Sequence, residues 1–136
     1  MNRLRSVLLG AILVATVGAL VSLALSEIMG LAPCELCWYQ RLLLYPQILV
    51  IGAAASRLDV RYVFVALVMS LGGIVVAAYH SWLQLQSAST ETCSLSNPCS
   101  TVAFEVAGLS IPNLSFLTFL ALSVLLLGGL VVSYRQ

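Results

Sequence analysis

Residues Tyr62 to Leu83 read YVFVALVMSLGGIVVAAYHSWL, with no Asp, Glu, Lys or Arg among them. About 20 apolar residues cross a ~30 Å hydrocarbon core at 1.5 Å per residue. In lipid the backbone must satisfy its own hydrogen bonds, so such a run is a helix. Working outward, three more runs have the same character: Val7 to Ser26, Leu36 to Ser56 and Leu114 to Ser133. The 136 residues are 61% hydrophobic and 8% charged. A soluble domain carries about 25% charged residues and could not cover its surface with this composition. The expected fold is therefore all-α and integral to the membrane. It is a single domain over 1–136, a four-transmembrane-helix bundle with two short outward cysteine loops, 27–35 and 84–113. Gly10, Gly18, Gly72, Gly73, Gly128 and Gly129 permit close helix contact. The Gly72-Gly73 pair also allows a bend.

Charge orients this bundle. Arg3, Arg5, Arg57, Arg61 and Arg135, with Asp59, fall on one side. Glu27, Glu35, Glu91 and Glu105 fall on the other. The positive-inside rule puts the arginine side, with both termini, in the cytoplasm and the cysteine loops outside. Disulfides persist there. The first run is read as a signal anchor, because it is longer than a leader's apolar region and no small-x-small site precedes Glu27. The chain has no lysine and no basic cluster that would hold a nucleic acid backbone. In the loop 84–113 the second half, Val102 to Ile111, is expected to form a short interfacial helix.

All four cysteines lie in the loop segments or at their edge, in two pairs. Cys34 and Cys37 sit at the start of the second run, after Pro33. A Cys-x-x-Cys pair at a helix start is the geometry of a reactive dithiol, because backbone N–H groups and the helix dipole favour a thiolate. Arg41 stands one turn beyond Cys37 on the same face. It is the one arginine on the cysteine side, and an arginine at a membrane boundary needs a reason. A thiolate at Cys37 or a reduced quinone oxygen would supply one. A static disulfide beside a snorkelling arginine is the structural alternative. Cys93 and Cys99 close a short loop around Asn97-Pro98, either as a staple or as an exposed, exchangeable disulfide. Four cysteines could also hold zinc, but Cys-x2-Cys with Cys-x5-Cys is not a usual zinc spacing, and no metal is expected. His80, in Tyr79-His80-Ser81-Trp82, is either an interfacial histidine among belt aromatics or a proton donor or quinone ligand. Trp38 and Tyr39 read as belt residues, Gln40 as a hydrogen-bonding or exposed amide, and Glu35 as a solvated charge.

Pro33-Cys34-Glu35-Leu36-Cys37-Trp38-Tyr39-Gln40-Arg41 resembles the signature of the DsbB (disulfide bond formation protein B) family, including its shorter BdbC-type members. The resemblance extends through Tyr79 to Gln84, through Gly108 to Pro112, and into the last run. It implies a thiol:quinone oxidoreductase of the inner membrane that reoxidises a DsbA-type thioredoxin-fold partner and so supports disulfide formation. By position, Cys93 would be attacked by the reduced partner, and Cys99 would pair transiently with Cys34. Cys37 would face the quinone, ubiquinone or menaquinone, and Arg41 would support its developing negative charge. His80 falls at a histidine position near the family's quinone site. Many members have a much longer segment between the second-pair cysteines, which here is five residues. A vitamin K epoxide reductase-like oxidant is a second reading, but that family places its cysteine pairs in the reverse order. A membrane protein with structural disulfides is a third.

Overall fold

The computed structural model describes residues 2–89, 99, 105–106 and 108–135. Cys93 and the interfacial helix expected from Val102 begin outside these residues. Four helices make up the body: α1 (Asn2–Glu27), α2 (Glu35–Arg57), α3 (Val60–Ser89) and α4 (Ile111–Tyr134). Each packs on its sequence neighbours, and α4 closes against α1, giving an up-down-up-down bundle.

Among the described residues, three helices are long and apolar enough to cross a membrane: Arg3–Glu27, Val60–Gln86 and Ile111–Tyr134. The expectation of four spans therefore finds three clear ones, and α2 is the exception. Length is not the reason. Glu35, Gln40, Arg41, Pro46, Gln47 and Arg57 all belong to it. The buried face of α2 runs Gln40, Leu44, Gln47, Ile51, Ala54, Ala55, a helical stripe that turns two amides inward. Leu42 and Leu49 are turned outward and exposed.

The surface is apolar: Leu13, Leu20, Leu42, Phe64, Val75 and Val124 are exposed, as suits lipid as solvent. Inside, Ala11, Ala15, Ala54, Ala66 and Ala77 are buried beside larger side chains such as Leu8, Ile51, Phe119 and Leu122. The helix α3 continues through Gly72-Gly73. A Cβ at Gly73 would overlap the ring of the buried Phe119, so the glycine there serves contact with α4. At Gly18 a Cβ would stand 2.9 Å from Thr118 Cγ2, a second close approach between α1 and α4. Inside the bundle, Gln47 Nε2 donates to the Ala66 carbonyl at 2.8 Å and to Ser70 Oγ, joining α2 to α3.

The turn between α2 and α3 is tight. Leu58 takes left-handed backbone (φ 53°) and its N–H returns to Ala54 O at 2.8 Å, closing α2. Asp59 Oδ1 accepts from Arg61 N at 2.9 Å, capping the start of α3. At the other end α3 runs six residues past the expected Leu83, to Ser89. Residues 84–89 contain neither Gly nor Pro to stop it.

The expected interfacial helix over Val102 to Ile111 is not what residues 105–110 form. Glu105–Val106 (β1) and Leu109–Ser110 (β2) pair antiparallel, with Glu105 opposite Ser110. Gly108, at φ +79°, lies in the two-residue connection, a conformation glycine adopts at little cost and a helix cannot contain. Ser110 then precedes α4 in extended backbone, and Pro112 sits in its first turn.

Candidate redox site

Pro33 and the extended Cys34 (φ −75°, ψ 172°) deliver the chain to α2, and Cys34 occupies its N-cap. The Cys34 carbonyl accepts the first helical bond, from Trp38 N at 3.2 Å. Cys37 follows one turn into the helix, and its Sγ accepts a hydrogen bond from Cys34 Sγ at 3.5 Å. Accepting is the role of a thiolate, and the first turn of a helix favours one. The proton that Cys34 gives to Cys37, and then its burial, hold the Cys34 thiol above the ordinary thiol range.

His80 reaches this pair from α3. It is 3% exposed, so it faces the bundle interior and not the lipid boundary. Its Nε2 lies 3.8 Å from Cys34 Sγ, and Gln40 Nε2 lies 3.4 Å from its Nδ1. The exposed neighbours Tyr79 and Trp82 fit the aromatic belt.

Cys99 is 5% exposed. Its thiol lies close enough to Cys34, and to the backbone of Leu36 and Glu35, to feel them electrostatically. Burial, followed by the influence of Cys34, raises it above the ordinary thiol range. Cys34, Cys37 and Cys99 thus meet at one helix N-terminus. Cys93 lies outside the described residues.

Arg41 is anchored to α1. Its Nε donates to Ser22 Oγ at 3.0 Å, and Nη2 donates to Ser22 O at 2.8 Å and to Ser26 Oγ. The guanidinium lies 5.5 Å from the centre of the Trp38 ring. Ser22 and Ser26 had not been singled out from sequence. Their signal was modest, two serines one turn apart at the outer end of an apolar helix.

These groups border a cavity of about 600 Å³ between α1, α2 and α4. Its walls include Val17, Val21, Leu25, Leu114 and Phe119, and its polar margin is Cys37, Gln40, Arg41 and His80. An apolar chamber with a few convergent polar groups is the usual form of a small-molecule site. Glu35 is exposed and accepts from Tyr39 OH at 3.3 Å, away from the chamber.

Fold and site together define a helical membrane protein with a cysteine pair in contact at a helix N-terminus. The family model "Disulfide bond formation protein DsbB" matches residues 3–128. The chain belongs to the DsbB family, and membership implies oxidoreductase activity in disulfide formation. It is 42% identical over 108 residues to a "Probable disulfide formation protein" of Oceanobacillus iheyensis, covering 76% of this chain and 74% of that one. It is 36% identical over 115 residues to "Probable disulfide formation protein C 2" of Bacillus anthracis, covering 83% and 82%. With "Disulfide bond formation protein B 2" of Pseudomonas putida the identity is 36%, covering 98% and 94%. That last alignment runs over 158 positions, more than this chain's 136 residues, so the relative carries additional segments. No solved structure matches the chain.

Proposed function

We propose that the protein is a thiol:quinone oxidoreductase that reoxidises a DsbA-type thioredoxin-fold partner and passes two electrons to a membrane quinone. The observation that carries this reading is the meeting of Cys34, Cys37 and Cys99 with His80 at the margin of the Arg41 chamber. In this reading α2 is a fourth span, whose polar face is sheltered by the bundle. The membrane is the cytoplasmic (inner) one, both termini are cytoplasmic, and the cysteine loops are outside.

The exchange balances as follows. A thiolate of the reduced partner attacks Cys93 of a Cys93–Cys99 disulfide, and Cys99 leaves as thiolate. The partner's second thiolate displaces Cys93, so the partner departs oxidised. Cys99 attacks Cys34 of the Cys34–Cys37 disulfide, releasing Cys37 as thiolate. Cys93 then reclaims Cys99 and frees Cys34. Two electrons now reside on Cys34 and Cys37. A quinone, of the ubiquinone or menaquinone class, supplies an acceptor for two electrons and two protons. Arg41 offers the positive charge that favours the reduced oxygen, and His80 is within reach of the Cys34 proton. Cys37, as hydrogen-bond acceptor, is the sulfur prepared to give up electrons. Re-forming the Cys34–Cys37 disulfide completes the cycle.

Purified protein is expected to oxidise a thioredoxin-fold dithiol only when quinone is present. Cys37→Ser should reduce quinone-coupled turnover to background, and unchanged turnover in that variant would sink the mechanism. A partner whose second cysteine is replaced with alanine should accumulate as a mixed disulfide with Cys93, with Cys99 as the leaving thiolate, detectable by mass spectrometry.

A further inference from the structure

The geometry points to a zinc-binding state of the reduced centre, in which Cys34, Cys37 and His80 hold one Zn²⁺ ion. Cys34 Sγ, Cys37 Sγ and a ring nitrogen of His80 all lie within 4.8 Å of one another. A tetrahedral zinc with bonds of about 2.3 Å to sulfur and about 2.0–2.1 Å to nitrogen spaces its ligands in a set way. Sulfurs stand about 3.8 Å apart, and sulfur stands about 3.6 Å from nitrogen. Cys34 and Cys37 are 3.5 Å apart, and Cys34 and His80 Nε2 are 3.8 Å apart. Small side-chain adjustments therefore bring these two ligand pairs to a common metal. Cys99 does not belong to this group, so the fourth position is open to water, as in three-ligand zinc sites.

The surroundings suit this role. Gln40 touches His80 at Nδ1, the nitrogen facing away from the sulfurs. Turned to present its Oε1, the amide accepts the Nδ1 proton and leaves Nε2 free for the metal, the usual outer support of a ligating histidine. The sequence spacing that argued against zinc counted only cysteines. The histidine comes from α3, 46 residues from Cys34, and changes the set from four cysteines to two and a histidine, a known zinc combination that keeps an open position.

Binding displaces to solvent whatever thiol protons Cys34 and Cys37 still carry, and changes no oxidation state. The Cys34–Cys37 disulfide has no thiolates to offer, so only the reduced centre binds. Binding itself does not depend on the electron-relay reading. Its effect on turnover does, because a metal on Cys34 and Cys37 blocks their reoxidation.

The test uses full-length protein in detergent, reduced with a phosphine that is then removed anaerobically. Zn²⁺ is titrated in competition with a chromophoric chelator, and Co²⁺ serves as a spectroscopic probe. One tightly bound zinc per reduced chain is expected, none in diamide-oxidised protein, and a cobalt spectrum with thiolate charge-transfer and tetrahedral bands. Cys37→Ser and His80→Ala should each weaken binding at least tenfold. The redox comparison needs no variant, so it stands even if a substitution impairs folding. Equal binding by reduced and oxidised protein, or undiminished binding by Cys37→Ser, overturns the proposal. Zinc binding without quinone turnover would overturn the relay alone, and turnover without zinc binding would overturn this inference alone.

Discussion

At the scale of single residues, the centre is arranged by hydrogen bonds between side chains far apart in sequence. Arg41 shows this best. Its charge was legible as an exception to the charge pattern, but its anchoring was not, because Ser22 and Ser26 become its partners only when α1 lies beside α2. Arg41→Lys keeps the charge but loses the planar fork that holds two serines at once. It should raise the quinone KM about tenfold, equivalent to about 1.4 kcal/mol, with a smaller change in kcat. Ser22→Ala with Ser26→Ala should produce a weaker shift in the same direction, about fivefold, matching a loss of about 1 kcal/mol of positioning. Steady-state kinetics with varied quinone would check both. An unchanged KM in Arg41→Lys would remove Arg41 from the quinone site.

At the scale of elements, α2 differs from the other three. Its start carries Cys34 at the cap and Cys37 one turn in, and its inward face carries Gln40 and Gln47. Both amides find partners on α3, one at His80 and one at Ala66 and Ser70. Counting apolar residues along the sequence made α2 look like its neighbours, because a linear run does not say which face turns inward. The contact between α3 and α4 has the opposite character, a glycine against an aromatic ring. Gly73→Val would force Phe119 aside in a packed interior, and overpacking of this kind costs about 1–3 kcal/mol. Thermal unfolding in detergent should show a lower midpoint for Gly73→Val. Gly10→Val is the control, because a Cβ at Gly10 meets nothing within 4 Å. Equal losses in the two variants would contradict the packing role given to Gly73.

At the scale of the whole molecule, the chain places its chemistry at one end and its arginines, Arg41 apart, at the other. The end with Cys34, Cys37, Cys99 and His80 also holds Glu27, Glu35 and Glu105, whereas Arg57 and Arg61 lie at the turn between α2 and α3. With the cysteine end outside, a membrane-impermeant thiol reagent should label the reduced protein in intact cells. A reporter active only in the cytoplasm should work when fused to the C-terminus. A cytoplasmic cysteine end, seen as protection from the reagent, would overturn the proposed orientation.

Composition and apolar run length determined that this is a helical membrane protein, because lipid accepts few polar groups and no unpaired backbone. The Cys-x-x-Cys pair at a helix start was likewise visible, since one turn of helix sets that geometry locally. Only the tertiary structure decided that His80 faces the cysteines and not the boundary, that Cys99 rests on Cys34, and that Arg41 is held by two serines. The physical reason is that these contacts join residues 15 to 46 or more positions apart, on different helices or a loop. Packing sets how the helices rotate against one another, and a linear pattern of apolar residues leaves that rotation open.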